Sequence, residues 1–256
     1  MAEQNRRVWD WHAARYQATH LHARDTIYYW SEAFPNEDDL QLLGNVAGLR
    51  VLDLGSGAGQ SGIALAKRGA LVTCVDISQS QLDIGQQYAA EDGVEVQFVQ
   101  GDMQDLAMFH AQSFDLVVSC AALSYVEDER KVFQEVARVI VPGGKFVASV
   151  DEAFWLAIGA KYIWPKARES PAYFYRGPIE WRWEESDPKD YRFVMFRRPL
   201  QDYVNGLIDA GFLLDHMVEL ELIKERLPQD TFLAPPEIEF AHLYPLALVL
   251  VSHRKG

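Results

Sequence analysis

Positive charge is scarce in this chain. Its 24 lysines and arginines stand against 37 aspartates and glutamates, a formal net charge of −13. A surface of that sign repels a phosphate backbone and an anionic headgroup layer, which argues against a nucleic-acid or membrane-surface partner. Cysteine is scarcer still. Cys74 and Cys120 each sit in an apolar, strand-like run, as small buried hydrophobes do. Two residues so far apart make neither a disulfide framework nor a zinc site, so no metal is expected. Long apolar runs are missing too. The opening "MAEQNRRVWDWHAARY" holds none of signal-peptide length, and no segment approaches the about 20 apolar residues of a membrane span. Internal repeats and low-complexity tracts are absent. The expectation is a soluble, cytoplasmic protein, a single domain across residues 1–256, whose 49% hydrophobic content can build a sizeable core.

What is present is a rhythm. Between residues 48 and 151, apolar strand-like runs alternate with helix-like stretches: "RVLDL" (50–54), a helix ending near Gly69, "LVTCVDI" (71–77), a helix that Ser78 can cap, and "VEVQFVQGD" (94–102). "SFDLVVSC" (113–120), the helical spacing of Val132, Val136 and Val139, a "PGG" break and "KFVASV" (145–150) continue it. This alternation predicts an α/β fold, a doubly wound, mostly parallel sheet. Residues 1–47 read as an N-terminal helical cap, with Trp9, Ala13 and Tyr16 on one helical face. Residues 152–190 have no such rhythm and are rich in Trp, Tyr, Phe and Pro; they read as an insertion after the fifth strand that covers the site. Residues 191–256 supply a helix (200–212) and the remaining strands.

The first strand runs into "VLDLGSGAGQSG" (51–62), which carries two overlapping fingerprints. Gly57, Gly59 and Gly62 have dinucleotide spacing; Asp53, Gly55, Gly57 and Gly59 define another register. A carboxylate at Asp53 suits an ammonium and opposes a pyrophosphate. The loop's N–H groups suit a carboxylate. An amino-acid moiety offers both charges, so the second register fits S-adenosylmethionine, and Gly62 becomes a small residue within the first helix. Asp76, ending the second strand, would accept from ribose hydroxyls of either cofactor. Asp102, ending the third, can meet an adenine amine, with Ile77, Leu82 and Met103 as apolar neighbours of the ring; Leu82 fits a core position equally well.

The set "VLDLGSGAG", "VDIS", "GDM", "FDLVVSCAALSYVED" and "VIVPGGKFVAS" resembles, in that order, the class I S-adenosylmethionine-dependent methyltransferases. "VWDWHAARY" and "FRRPLQDYVNGLIDAGF" resemble the first and late helices of their small-molecule branch, which includes ubiquinone and menaquinone methyltransferases. The resemblance implies a Rossmann-like seven-stranded sheet with its last strand antiparallel, and Cys74 and Cys120 on strands flanking the first, too far apart to bond. It implies that Gly55, Gly57 and Gly59 line the methionine and ribose path and that Asp53 holds the amino group, directly or through water. Ser119 would meet the amino group through its carbonyl, Gln60 the methionine carboxylate, and Tyr16 would close over the methionine end. S-adenosyl-L-homocysteine would be the product.

Candidate acceptor residues come from the cap and the insertion. His22 is the candidate base among the cap histidines His12, His20 and His22, and Tyr125 can face the acceptor. Tyr28, Asp151, Trp155, Tyr175 and Trp183 are candidate substrate contacts, and the many aromatics suit a planar or apolar molecule. Arg168, Arg176 and Arg182 could reach an anionic group. The expected function is methyl transfer to a small, aromatic or apolar molecule at O, N or C, by a monomer or homodimer. The alternatives are a non-catalytic S-adenosylmethionine-binding protein acting through a partner, which would lack an open acceptor cavity, and a nicotinamide-dependent oxidoreductase.

Overall fold

A computed structural model describes residues 1–19, 24–151, 172–183, 187–227 and 235–256. Helix α1 (Ala2–Thr19) and a short helix α2 (Glu37–Leu40) precede strand β1 (Arg50–Leu54). Then follow α3 (Gln60–Lys67), β2 (Leu71–Asp76), α4 (Gln79–Asp92), β3 (Val96–Gln100), β4 (Phe114–Ser119), α5 (Glu129–Val139) and β5 (Ile140–Asp151). A hairpin of β6 (Gly177–Trp181) and β7 (Phe193–Arg197) comes next. The chain ends with α6 (Leu200–Asp209), β8 (Phe212–Glu219), α7 (Pro235–Ala241) and β9 (Ala247–Arg254).

Seven strands form one sheet in the order β3-β2-β1-β4-β5-β9-β8. The pairs among β1 to β5 are parallel, and β9 is antiparallel to both β5 and β8. This is the doubly wound sheet with an antiparallel last strand. Alternate side chains feed two cores. Val51, Leu116, Val118, Val147 and Val249 face one, with Ala64 and Leu65 of α3. Leu52, Leu54, Val117, Phe146 and Leu248 face the other, with Phe133 and Val136 of α5 and Leu207 of α6. The helices start where side chains take up their free N–H groups: Ser78 accepts from Gln81 N–H in α4, and Asp128 from Lys131 N–H in α5. The "PGG" turn differs from its reading as a break. It lies inside β5, where the register against β4 slips between Phe114 and Leu116, so the extra residues bulge and the strand continues. Cys74 and Cys120 are both free thiols.

The hairpin runs across residue 190, where return to the main sheet was expected; β6 and β7 form a separate two-stranded sheet. Asn5 of α1 ties this hairpin down. Its side-chain amide donates to Val194 O at 2.9 Å and to Tyr125 O at 3.1 Å, and its Oδ1 accepts from Val194 N–H at 2.8 Å. Asn5 is buried, and its two bonds to Val194 are closed off from water. Replacement Asn5→Ala strands the buried N–H and C=O of Val194 and frees the part-buried Tyr125 C=O, and is expected to destabilise the protein by about 2–4 kcal/mol. Urea denaturation monitored by tryptophan fluorescence measures this, and a loss below about 0.5 kcal/mol refutes the clamp.

Candidate active site

The strand order reverses between β1 and β4, and an open sheet receives ligands at the strand carboxyl ends of such a point. A cavity of about 390 Å³ occupies it. Its floor is made by the loops after β1 to β4, and its roof by α1, residues 26–30, and the hairpin with residues just beyond β6.

The loop after β1 is held from two sides by carboxylates. Asp76 accepts from Gly57 N–H at 2.8 Å through Oδ2 and from Ser78 N–H at 2.9 Å through Oδ1. Burial pushes its pKa up, against the pull of those backbone bonds. Asp76 lines the cavity, and each oxygen keeps lone-pair capacity for a ligand hydroxyl. Gly57 has φ +55°, with open space where a Cβ would stand, so the loop backbone is bare toward the cavity. Asp53 is buried beneath the loop and does not line the cavity. Its Oδ2 accepts from Gly62 N–H at 2.9 Å, and burial raises its pKa to about 7. A Cβ on Gly62 would stand 2.3 Å from Cys74 Sγ, so α3 can reach Asp53 and the sheet only with glycine there.

The structure brings most of the expected ligand residues to one cavity. Gly55, Gly57, Gln60 and Asp76 line it at the glycine loop, Ile77, Asp102 and Met103 beyond it, and Tyr16 in the roof. Asp102 Oδ1 accepts from Gln104 N–H at 2.8 Å. Besides Asp53, three residues lie elsewhere. Leu82 is fully buried in α4, in the core rather than against a ligand ring. Ser119 is wholly buried within β4. Gly59 caps α3 and faces Phe98, 2.8 Å from where its Cβ would be. Of the acceptor candidates, Tyr28, Tyr125, Asp151 and Trp183 line the cavity. Tyr175 does not: it is exposed, and its hydroxyl donates to Pro178 O at 3.1 Å. His22 and Trp155 lie outside the described residues. His12 is buried 3.3 Å from Asp187 and is not part of the cavity wall.

The roof is latched to the floor by polar side chains. Gln60 Nε2 donates to Gln17 Oε1 at 2.5 Å, and Gln17 Nε2 to Gln81 Oε1 at 2.8 Å, linking α3, α1 and α4. Asp10 of α1 accepts from the Ser78 hydroxyl at 2.8 Å and from Ser80 N–H at 3.1 Å. Rings fill the remainder. Trp9 meets Tyr16 and Tyr125 edge-on at 5.4 and 5.5 Å, and Tyr16 meets Trp183 at 5.5 Å. Burial raises the Tyr16 pKa to about 12 and pushes Tyr125 up as well, so both phenols stay neutral. Trp30 Nε1 donates to Asp151 Oδ1 at 3.2 Å, and burial raises the Asp151 pKa.

Sequence reasoning missed Gln17, Trp30, Asn5 and the turn after β4. In that turn Ala121 has φ +52° and donates its N–H to Ser149 Oγ at 2.9 Å. The latch and the turn depend on partners far away in sequence. Trp30 closes the aromatic run "YYW" (28–30) within the N-terminal cap, but its partner Asp151 is 121 residues away.

Comparison with known proteins agrees with this geometry. Residues 51–144 match the family model described as a methyltransferase domain. The chain is 32% identical over 186 residues to the uncharacterized methyltransferase YbaJ of Bacillus subtilis, covering 68% of this chain and 69% of that one. It is 31% identical over 160 residues to the ubiquinone biosynthesis O-methyltransferase of Cronobacter sakazakii, covering 59% and 66%. The chain thus spans about two thirds of the length of these curated relatives. An S-adenosylmethionine-dependent methyltransferase of Mesorhizobium loti superposes with a TM-score of 0.66 at 27% identity, over 84% of this chain and 95% of the other.

The buried carboxyl of Asp53 sets a pH dependence. Its pKa is about 7 folded against 3.8 for the free group, so its contribution to stability is full below about pH 4 and is lost as pH rises through about 7. Asp53→Asn is expected to flatten that part of the stability profile, as read from urea unfolding at a series of pH values. A variant profile parallel to the parent's would show that another group is responsible.

Proposed function

The chain belongs to the S-adenosylmethionine-dependent methyltransferases, and from that membership we propose that it methylates a small, aromatic or apolar molecule held in the roof half of the cavity. The observation that carries this reading is the two-part cavity. One part is a glycine loop with carboxylates, the other a compartment of rings, and both are continuous in one space.

The residues present fit the cofactor. Asp76 would take the ribose hydroxyls. The bare backbone at Gly57 would face the methionine half, with the Asp53 carboxyl beneath the loop and Gln60 at the carboxylate end. Asp102, Ile77 and Met103 would frame the adenine. When bound, the sulfonium supplies a methyl group already activated for displacement. The chain's own task is then alignment and exclusion of water, and well-oriented reactants can save about 7–11 kcal/mol of a barrier. Trp9, Tyr16 and Tyr125 present neutral rings there, and a ring face near a cation is worth about 0.5–2 kcal/mol. Tyr28, Tyr125, Asp151 and Trp183 would contact the acceptor. The open ring-lined compartment supports an enzyme over a protein that only binds the cofactor. The acidic net charge supports a small-molecule acceptor over a nucleic acid. Among the described residues no helix is long and apolar enough to cross a membrane.

Two measurements test the reading. Asp76→Ala should weaken S-adenosylhomocysteine binding by about 10- to 100-fold in calorimetry, the worth of hydrogen bonds to a charged acceptor. Unchanged affinity would remove Asp76 from the ribose. With labelled methyl donor and a metabolite extract, a labelled small product is expected. Tight binding of NADH with none of S-adenosylhomocysteine would overturn the assignment.

A further inference from the structure

Among the described residues, the acceptor half of the cavity carries one ionisable side chain besides its phenols, the Asp151 carboxyl, and no cationic one. Among the described residues that line the cavity none is lysine, arginine or histidine, and the acids are Asp76, Asp102 and Asp151. Asp76 and Asp102 stand at the glycine-loop side, each already bonded to backbone N–H groups. Asp151 stands apart, at the end of β5. Its neighbours are neutral: Trp30 donates to it, the Ser124 hydroxyl is beside it, and its charge acts on the Tyr125 phenol.

The arginines that could have served an anionic acceptor are engaged elsewhere. Arg176 pairs with Asp202 at 2.6 Å, and Arg182 donates to Asp187 O at 3.0 Å. Neither lines the cavity, and Arg168 lies outside the described residues. A carboxylate taken out of water without a counter-charge is costly, and a cation beside it offsets that cost. The rings close by add to the preference. Trp30 is hydrogen-bonded to Asp151, and Trp9 and Tyr16 continue from Tyr125. Ring faces attract a cation most strongly where water is excluded.

Resting on the methyltransferase reading, we propose that the acceptor enters this compartment as a cation, with a protonated or quaternary nitrogen seated between Asp151 and the surrounding rings. The substrate class is then an ammonium compound with an apolar or aromatic body, and acceptors whose only charge is a carboxylate or phosphate are rejected. A protonated nitrogen takes the methyl group only after its proton passes to the Asp151 carboxylate, and a quaternary one directs the methyl to another atom of the same molecule. Asp151 is the specificity-determining group.

The test is binding to the protein saturated with S-adenosylhomocysteine, followed by tryptophan fluorescence. The probes are benzyltrimethylammonium, its uncharged isostere neopentylbenzene, and phenylacetate. The cation is expected to bind at least about tenfold more tightly than either. Asp151→Asn should erase that preference while S-adenosylhomocysteine affinity stays unchanged. Asp151→Glu, which restores a carboxylate, should recover much of it. Equal affinity for the three probes, no saturable binding of the cation, or a preference that survives Asp151→Asn overturns the proposal and leaves the methyltransferase assignment standing. Failure of the parent protein to bind S-adenosylhomocysteine counts against that assignment instead. If Asp151→Asn alone loses the cofactor product, the parent's probe ratio and Asp151→Glu decide.

Discussion

Asp53 and Asp76 lie at the carboxyl ends of neighbouring parallel strands, and each gives an oxygen to a backbone N–H of the segment between Gly57 and Gly62. A loop that must leave its own backbone open to a ligand cannot hold its shape by pairing with itself. The two carboxylates do that work from below and from the side, and burial makes both harder to ionise. The cost is borne where the sheet is most rigid, at β1 and β2 in its interior. The same constraint dictates the small residue at Gly62, since α3 must come close enough for its first turn to bond Asp53 across Cys74.

The ligand end therefore has a stiff floor and a roof of different origin. The floor is strand ends and helix starts, held by hydrogen bonds to main chain. The roof is α1, residues 26–30 and a hairpin, held by rings and by side-chain amides. Floor geometry suits one invariant ligand portion, whereas side chains in the roof decide what else enters. Chemistry that asks mainly for alignment in a dry space fits this division.

The floor was legible in the sequence because its causes are local. Alternating apolar residues set the strands, Ser78 capped α4, and Asp76 and Asp102 followed from their places at strand ends. Asp53 shows where local reasoning stops. Its type and position selected the right register, yet its side chain supports the loop from beneath instead of lining the cavity, because helix packing over Gly62 covers it. Leu82 could not be divided between core and ligand by spacing alone; its burial on the inner face of α4 decides it. The roof was illegible in detail for a different reason. Gln17 bonds across 43 and 64 residues, and Trp30 across 121, so no window of sequence contains both partners. Tyr175 belonged to an aromatic-rich stretch, but composition does not say which rings turn inward.

The Asn5 clamp has a consequence for the order in which the molecule can be built. Its partner Val194 is 189 residues downstream, whereas strands β1 and β2 meet across about 20. Closing the longer loop carries the larger entropic cost, and its partner strand emerges late in synthesis. Helix α1 can latch onto α4 through Asp10 and Gln17 before then, but its Asn5 end is fixed only once β7 is in place. Until β7 is in place, the glycine loop can take shape under α1 while the hairpin side of the cavity stays open.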